Sequence, residues 1–331
     1  SLGSEMCIRD RDRIQASNVT PGNVSTQRVK LSSGYEIPQV ALGVYKAPND
    51  GTTEQAVKWA FDCGYRHIDS AARYRNEEAV GRALKEWTAA NNVPREEIFI
   101  TTKLWDDDHK NAQEAIEESL RKLQLSYIDL YLIHSPEPGE QSFIEAWKQM
   151  EAAVDAGKVR SIGVSNFDVD HLDALLKVAR IKPVVNQIES HPFFAHEKLR
   201  EETLKRGIHI EAYSPMAQGA ALDREEIKAI ATKHGKTPAQ VLLRWGIQVG
   251  NIVLPKSLTK HRIEANAQLF DFELDSNDMD VLNNIDEGMK MGKLGPPGTS
   301  APASPGATRP GSRRTSGSSG LAGNKLQMSS S

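Results

Sequence analysis

Cysteine is almost missing from this chain: Cys7 and Cys63 are the only two in 331 residues. Two thiols cannot staple a chain of this length, so its stability must come from a packed core, and a reducing compartment, the cytoplasm, is the expected setting. Long apolar runs are lacking too. None approaches the roughly 20 residues that a membrane-spanning helix needs, so no membrane partner is expected. The first residues show no charged start followed by an apolar core and a small-residue cleavage site, so no secretory signal is read. Charge is nearly balanced, with 41 Lys and Arg against 44 Asp and Glu. A nucleic-acid partner is therefore not expected either. No metal site is read, and a monomer is expected. Finally, no Gly-x-Gly-x-x-Gly follows the first strand-like run, so a doubly wound dinucleotide-binding sheet lacks its usual fingerprint.

The two ends differ from the middle. Residues 1–27 have no period and no apolar face, and Met6–Arg11 matches the translated end of a sequencing-library transposon. This segment is expected to be a disordered leader that need not belong to the native gene. From Gly288 to Ser331 there are 9 Gly, 5 Pro and 9 Ser, six cations and no acid. Such a composition cannot bury enough apolar surface to offset its ordering entropy, so residues 291–331 are expected to be a disordered tail. That leaves a folded body at residues 28–290.

The body opens with a hairpin pattern, Val29–Ile37, around Ser33-Gly34. Eight short β-rich runs follow: Gln39–Tyr45, Arg66–Asp69, Ile98–Lys103, Ile128–His134, Ser161–Ser165, Val184–Glu189, His209–Tyr213 and Ile252–Pro255. Amphipathic helical patterns separate them, the last long one broken near Gly235–Pro238, and another helix is expected at Ser276–Asp286. Eight strands alternating with helices predict a (β/α)8 TIM barrel, with the hairpin capping its N-terminal mouth.

In such a barrel the loops that follow the strands share one face. Taken in order, the strand ends carry Tyr45, Asp69 with Tyr74, Lys103 with Trp105, His134, Ser165 with Asn166, Gln187, Tyr213-Ser214-Pro215 and Lys256-Ser257. Each residue alone has a bland reading, as a turn cap, a core histidine or a snorkelling lysine. Together they do not, because a lysine inside a strand is costly to bury unless it is paired. Asp69 would hold Lys103 as an ammonium, which in turn would lower the pKa of the Tyr74 phenol. His134 would orient a carbonyl oxygen. A proton donor aimed at a developing alkoxide needs a hydride source; no side chain supplies hydride, so a nicotinamide is implied. Tyr45 and Trp105 are placed to wall a substrate pocket.

The motifs Leu42-Gly-Val-Tyr45, Asp69–Tyr74 with Asn76-Glu77-Glu78, Thr101-Thr-Lys-Leu-Trp105, Leu132-Ile-His-Ser-Pro136, Gly163-Val-Ser-Asn-Phe167, Asn186-Gln-Ile-Glu189, Ala212-Tyr-Ser-Pro215 and Leu254-Pro-Lys-Ser257 occur in this order. Through them the body resembles the aldo-keto reductase superfamily. The resemblance implies a catalytic tetrad of Asp69, Tyr74, Lys103 and His134, with Tyr74 as the acid. It implies that Ser165, Asn166 and Gln187 hold the nicotinamide carboxamide, that Tyr213, followed by Ser214 and Pro215, stacks on the ring, and that NADPH/NADP+ is the cofactor. Lys256, Ser257 and Arg262 resemble the family's site for the adenosine 2′-phosphate, and Asn266 its adenine contact. Two cations beside a helix start agree with anion binding. The short stretch after His134 is similar to the compact aldehyde-, diketogluconate- and prostaglandin F-reducing branches.

Three positions depart from the family pattern. Ala265 stands where the family often has Glu before the Asn. Arg75 adds a charge after Tyr74, expected at the pocket rim. After Asp286 the chain gives way to the Gly/Pro/Ser tail instead of a substrate-closing loop. The expected activity is NADPH-dependent reduction of a small aldehyde or ketone. The alternatives are a non-catalytic NADPH-binding or sensing module on the same barrel, and a lyase or aldolase using Lys103 as a Schiff-base amine.

Overall fold

The computed structural model describes residues 23–295; Met6–Arg11, Cys7 and the stretch beyond residue 295, with the expectations placed on them, lie outside the described residues. Strands β1 (Arg28–Lys30) and β2 (Glu36–Pro38) form an antiparallel hairpin. Eight parallel strands follow: β3 (Leu42–Gly43), β4 (His67–Asp69), β5 (Phe99–Leu104), β6 (Ile128–Ile133), β7 (Val159–Ser165), β8 (Val185–Glu189), β9 (His209–Tyr213) and β10 (Ile252–Leu254). Each pairs with its sequence neighbour, and the sheet closes where Ala41 N donates to Val253 O (3.0 Å) and Gly43 N to Pro255 O (2.9 Å). The result is the expected (β/α)8 barrel.

The hairpin covers the N-terminal mouth, as expected. Leu31 and Ile37 bury against Phe99, Leu130, Val184 and Ile252, from the first residues of four strands or just before them. Ser33 Oγ and Ser161 Oγ are 2.7 Å apart, and the Pro38 carbonyl meets His67 Nδ1 at 3.2 Å. The hairpin thus closes this end by apolar contact and paired polar groups.

The helices wrap the strands through one apolar face each. In α4 (Glu140–Asp155) the buried residues Phe143, Ala146, Trp147, Met150 and Ala153 recur at helical spacing and pack on β6 and β7. Within β7 a side chain at Gly163 would place its Cβ 2.8 Å from Leu132 Cδ2 and 2.9 Å from Val185, so only glycine lets these strands pack there. The expected break in the long helical pattern divides α7 (Glu225–His234) from α8 (Pro238–Gln248).

Some boundaries move. The first barrel strand is two residues long, against the expected Gln39–Tyr45, because Val44 to Ala47 fold into a turn (Ala47 N to Val44 O, 3.0 Å) that seats Tyr45. Helix α9 spans Lys260–Ala267. α10 (Ser276–Asn283) ends ahead of the expected Asp286. Packing also outruns the body of residues 28–290. Val24 is buried against Gly64, and residues 291–294 lie against β8 and β9 through hydrogen bonds to Glu189 and Tyr213.

Candidate active site

At the end of β4 the chain turns through Ala72–Tyr74 before α2 (Glu77–Asn91) begins. Asn76 precedes the helix but does not cap it through its side chain. Its amide donates to Val44 O (2.8 Å) and Ala47 O (3.1 Å), while Ser70 Oγ donates to its Oδ1 (3.1 Å). Asn76 therefore ties the turn that carries Tyr45 to the loop that carries Tyr74. The two phenol rings lie 5.1 Å apart.

Lys103, on β5, is fully buried, and its ammonium spends all three donors locally: on Asp69 Oδ1 (2.7 Å), Ser70 O (2.7 Å) and Tyr74 Oη (3.3 Å). Burial pulls the Lys103 pKa down, but Asp69 and then Tyr74 outweigh it, and the net shift is upward. The amine is held as a cation. For Tyr74 burial pushes the pKa up and Lys103 pulls it down; burial wins, so the phenol lies above its ordinary value. This corrects the expectation of a lowered pKa: Lys103 offsets only part of the desolvation. The phenol keeps its proton at neutral pH and, receiving a hydrogen bond from Lys103, is free to donate its own outward.

His134 stands edge-on to both Tyr74 (5.9 Å between ring centroids) and Trp105 (5.2 Å). Burial, then Lys103 and Arg73, depress its pKa to about 3, so the imidazole is neutral. Its Nδ1 is buried with no partner among the described residues. A bare acceptor is less costly than a bare N–H, which places the hydrogen on Nε2, the nitrogen that can meet a ligand.

Beside the tetrad, the ends of β7, β8 and β9 form one polar network. Asn166 Nδ2 donates to His134 O (2.9 Å) and Ser165 Oγ to Gln187 O (2.8 Å). The Tyr213 hydroxyl donates to Asn166 Oδ1 (2.8 Å) and lies 3.3 Å from Leu294 O. Gln187 Nε2 donates to Asp69 Oδ2 (2.9 Å) and to Glu211 Oε2 (3.0 Å). With both N–H groups held by the acidic side chains of Asp69 and Glu211, the Gln187 amide is fixed in place, and its carbonyl oxygen is left as an acceptor.

All of this opens into one cleft of about 1300 Å³. Every expected site residue lines it except Lys103, which lies beneath: Tyr45, Asp69, Tyr74, Trp105, His134, Ser165, Asn166, Gln187, Tyr213, Ser214, Pro215, Lys256, Ser257, Arg262 and Asn266. The cleft runs from the tetrad to the β10–α9 loop, where Lys256 and Ser257 precede Thr259 at the N-cap and Arg262 lies in the first turn. That length and that basic end fit a phosphorylated dinucleotide plus a small substrate. Ala265 also lines it. Among the described residues, no three His, Cys, Asp or Glu gather as a metal site.

Several contributors were not anticipated. Lys46 lines the cleft and is near enough to Lys256 to depress its pKa, second to burial. Arg75 is exposed and outside the cleft wall; Arg73, one residue before Tyr74, lines it instead. Met291 N and Gly292 N donate to the two oxygens of Glu189 (2.7 and 2.6 Å), and His191 Nε2 meets Oε1 at 3.0 Å. His191 thus orders the turn after β8. Glu189 was visible in principle: two residues after Gln187 on a strand, it shares that residue's face.

The sequence model of the aldo/keto reductase family matches residues 40–287. Glyoxal reductase of Bacillus subtilis (strain 168) is 47% identical over 266 residues, 80% of this chain and 94% of that protein. Methylglyoxal reductase DkgA of Escherichia coli (strain K12) is 45% identical over 266 residues, 80% of this chain and 95% of that protein. Among solved structures, an aldo-keto reductase from a Medee basin deep-sea metagenome library superposes with a TM-score of 0.77 at 42% identity, covering 81% of this chain and 98% of the other. The Bombyx mori aldo-keto reductase in complex with NADP gives a TM-score of 0.75 at 40% identity, covering 78% and 92%.

Proposed function

Because the chain belongs to the aldo/keto reductase family, we propose that it reduces small aldehydes or ketones to alcohols with NADPH, and that Tyr74 gives the proton. The observation that carries this is the Lys103 ammonium, fully buried, shared between Asp69 and Tyr74 and lying beneath a cleft whose far end is lined by Lys256 and Arg262. When bound, NADPH supplies the hydride. Gln187 would hold its carboxamide through the free carbonyl oxygen, with Ser165 and Asn166 shaping the same pocket and Tyr213 forming its wall. Lys256, Ser257, Arg262 and Asn266 would take the adenosine end and its 2′-phosphate, with Lys46 extending the basic strip.

The remaining chemistry belongs to the protein. The neutral His134 donates to the carbonyl oxygen from Nε2 and fixes its direction. Tyr74 passes its proton to that oxygen as negative charge develops there. Lys103 stabilises the phenolate left behind, and Asp69 keeps Lys103 charged. Tyr45 and Trp105 limit the space to small carbonyls; relatives named as glyoxal and methylglyoxal reductases point to the same size class. Since one chain supplies every group required, the reading is of a monomer, working in the cytoplasm.

The test is NADPH oxidation with glyoxal, methylglyoxal and simple aromatic aldehydes, for the full chain and for Tyr74→Phe. The variant should lose about 10²–10⁴-fold in kcat, the usual worth of a general acid, while NADPH binding persists. A variant that keeps the parent's rate would remove Tyr74 from its role. A parent that binds NADPH but reduces no carbonyl would leave the binding-module reading instead.

A further inference from the structure

Resting on that reading, we propose that Arg73 forms an anion-binding subsite beside the catalytic phenol and selects carbonyl substrates that carry a carboxylate. Arg73 lies in the same single turn as Tyr74, Ala72–Tyr74, and lines the cleft. Its guanidinium sits 4.9 Å over the Trp105 ring, and Trp105 meets His134 edge-on. A guanidinium resting on an indole keeps its N–H donors for other partners, and those donors match a carboxylate through two parallel hydrogen bonds. Arg73, Trp105, His134 and Tyr74 thus form one arc about the place where a carbonyl must bind.

Among the described residues no acid answers this charge. Arg73 makes no ion pair among the described residues. The two carboxylates in the cleft wall are engaged elsewhere, Asp69 with Lys103 (2.7 Å) and Asp223 with Lys228 (3.9 Å). Nor does the cofactor need it, since the phosphate-binding cations Lys256 and Arg262 come from the β10–α9 loop, on another part of the cleft wall. Arg73 also lies near enough to His134 to lower its pKa, after burial and Lys103.

The test uses a matched pair of substrates, 4-carboxybenzaldehyde and its methyl ester, with the full chain, Arg73→Lys and Arg73→Leu. The parent should show the higher kcat/KM for the carboxylate, and the preference should fade as salt is raised. In Arg73→Leu the carboxylate-to-ester ratio should fall by about tenfold or more, mainly through KM, with Arg73→Lys between. A parent that reduces the ester as well as the acid, or a variant that leaves the ratio unchanged while raising KM for NADPH, overturns the subsite and leaves the reductase reading standing. Reduction of neither compound by the parent overturns both.

Discussion

Glu211 shows how much one buried carboxyl can decide. It lies on β9, fully buried; its Oε2 accepts from Gln187, while Oε1 has no partner among the described residues and is 4.0 Å from His67 Nε2. Burial, and after it the charge of Asp69, push its pKa up to about 8, against an ordinary 4.5. The folded protein therefore keeps a proton that the unfolded chain releases across that interval, and by linkage Glu211's contribution to stability falls as pH rises through it. Glu211→Gln keeps the shape without the titration. Its melting temperature should gain on the parent's between pH 5 and pH 9, read by thermal denaturation at each pH; parallel curves would show that Glu211 does not titrate there. That Asp69, Tyr74, Lys103 and His134 would gather was legible in sequence because they stand at or just after the ends of three successive strands. Glu211 was not, since its importance lies in sharing Gln187 with Asp69, a contact between residues far apart along the chain.

Among the elements, the junction between α7 and α8 is the most local. Gly235 takes a left-handed φ of 63° after α7, and Thr237 and Gln240 form a reciprocal cap with Pro238 in the first turn of α8. Replacing Thr237 with Ala should cost about 1 kcal/mol, read as a lowered urea midpoint with unchanged slope. Such junctions are readable because glycine, proline and a capping pair act within a few residues. Asn76 marks where that reading ends: its position is a cap position, yet its amide is committed to Val44 and Ala47, thirty residues back. The strap at residues 291–294 was hidden for another reason. Its composition says it cannot bury apolar surface, but it is held by backbone N–H groups on the Glu189 carboxylate, which composition does not report. Gly292 fits because a Cβ there would lie 2.9 Å from Glu189 Oε2.

Across the whole molecule, the sealed mouth and the open one divide stability from chemistry, so the cofactor should act as a clamp on the open end. At a concentration one hundred times its Kd, NADPH should stabilise the fold by about 2.7 kcal/mol. NADH at the same concentration should raise the melting temperature less, and in the double variant Lys256→Ala, Arg262→Ala the two nucleotides should become equivalent. An equal shift for both in the parent would take the 2′-phosphate site away from these residues. Closure of the barrel carries a further consequence, in time. Asp69, Tyr74, Lys103 and His134 are all made more than a hundred residues before Lys256, but the sheet cannot close until β10 reaches β3. Lys256 and Arg262 follow only then, and the strap after them. A nascent chain therefore carries Asp69, Tyr74, Lys103 and His134 long before it can hold a cofactor.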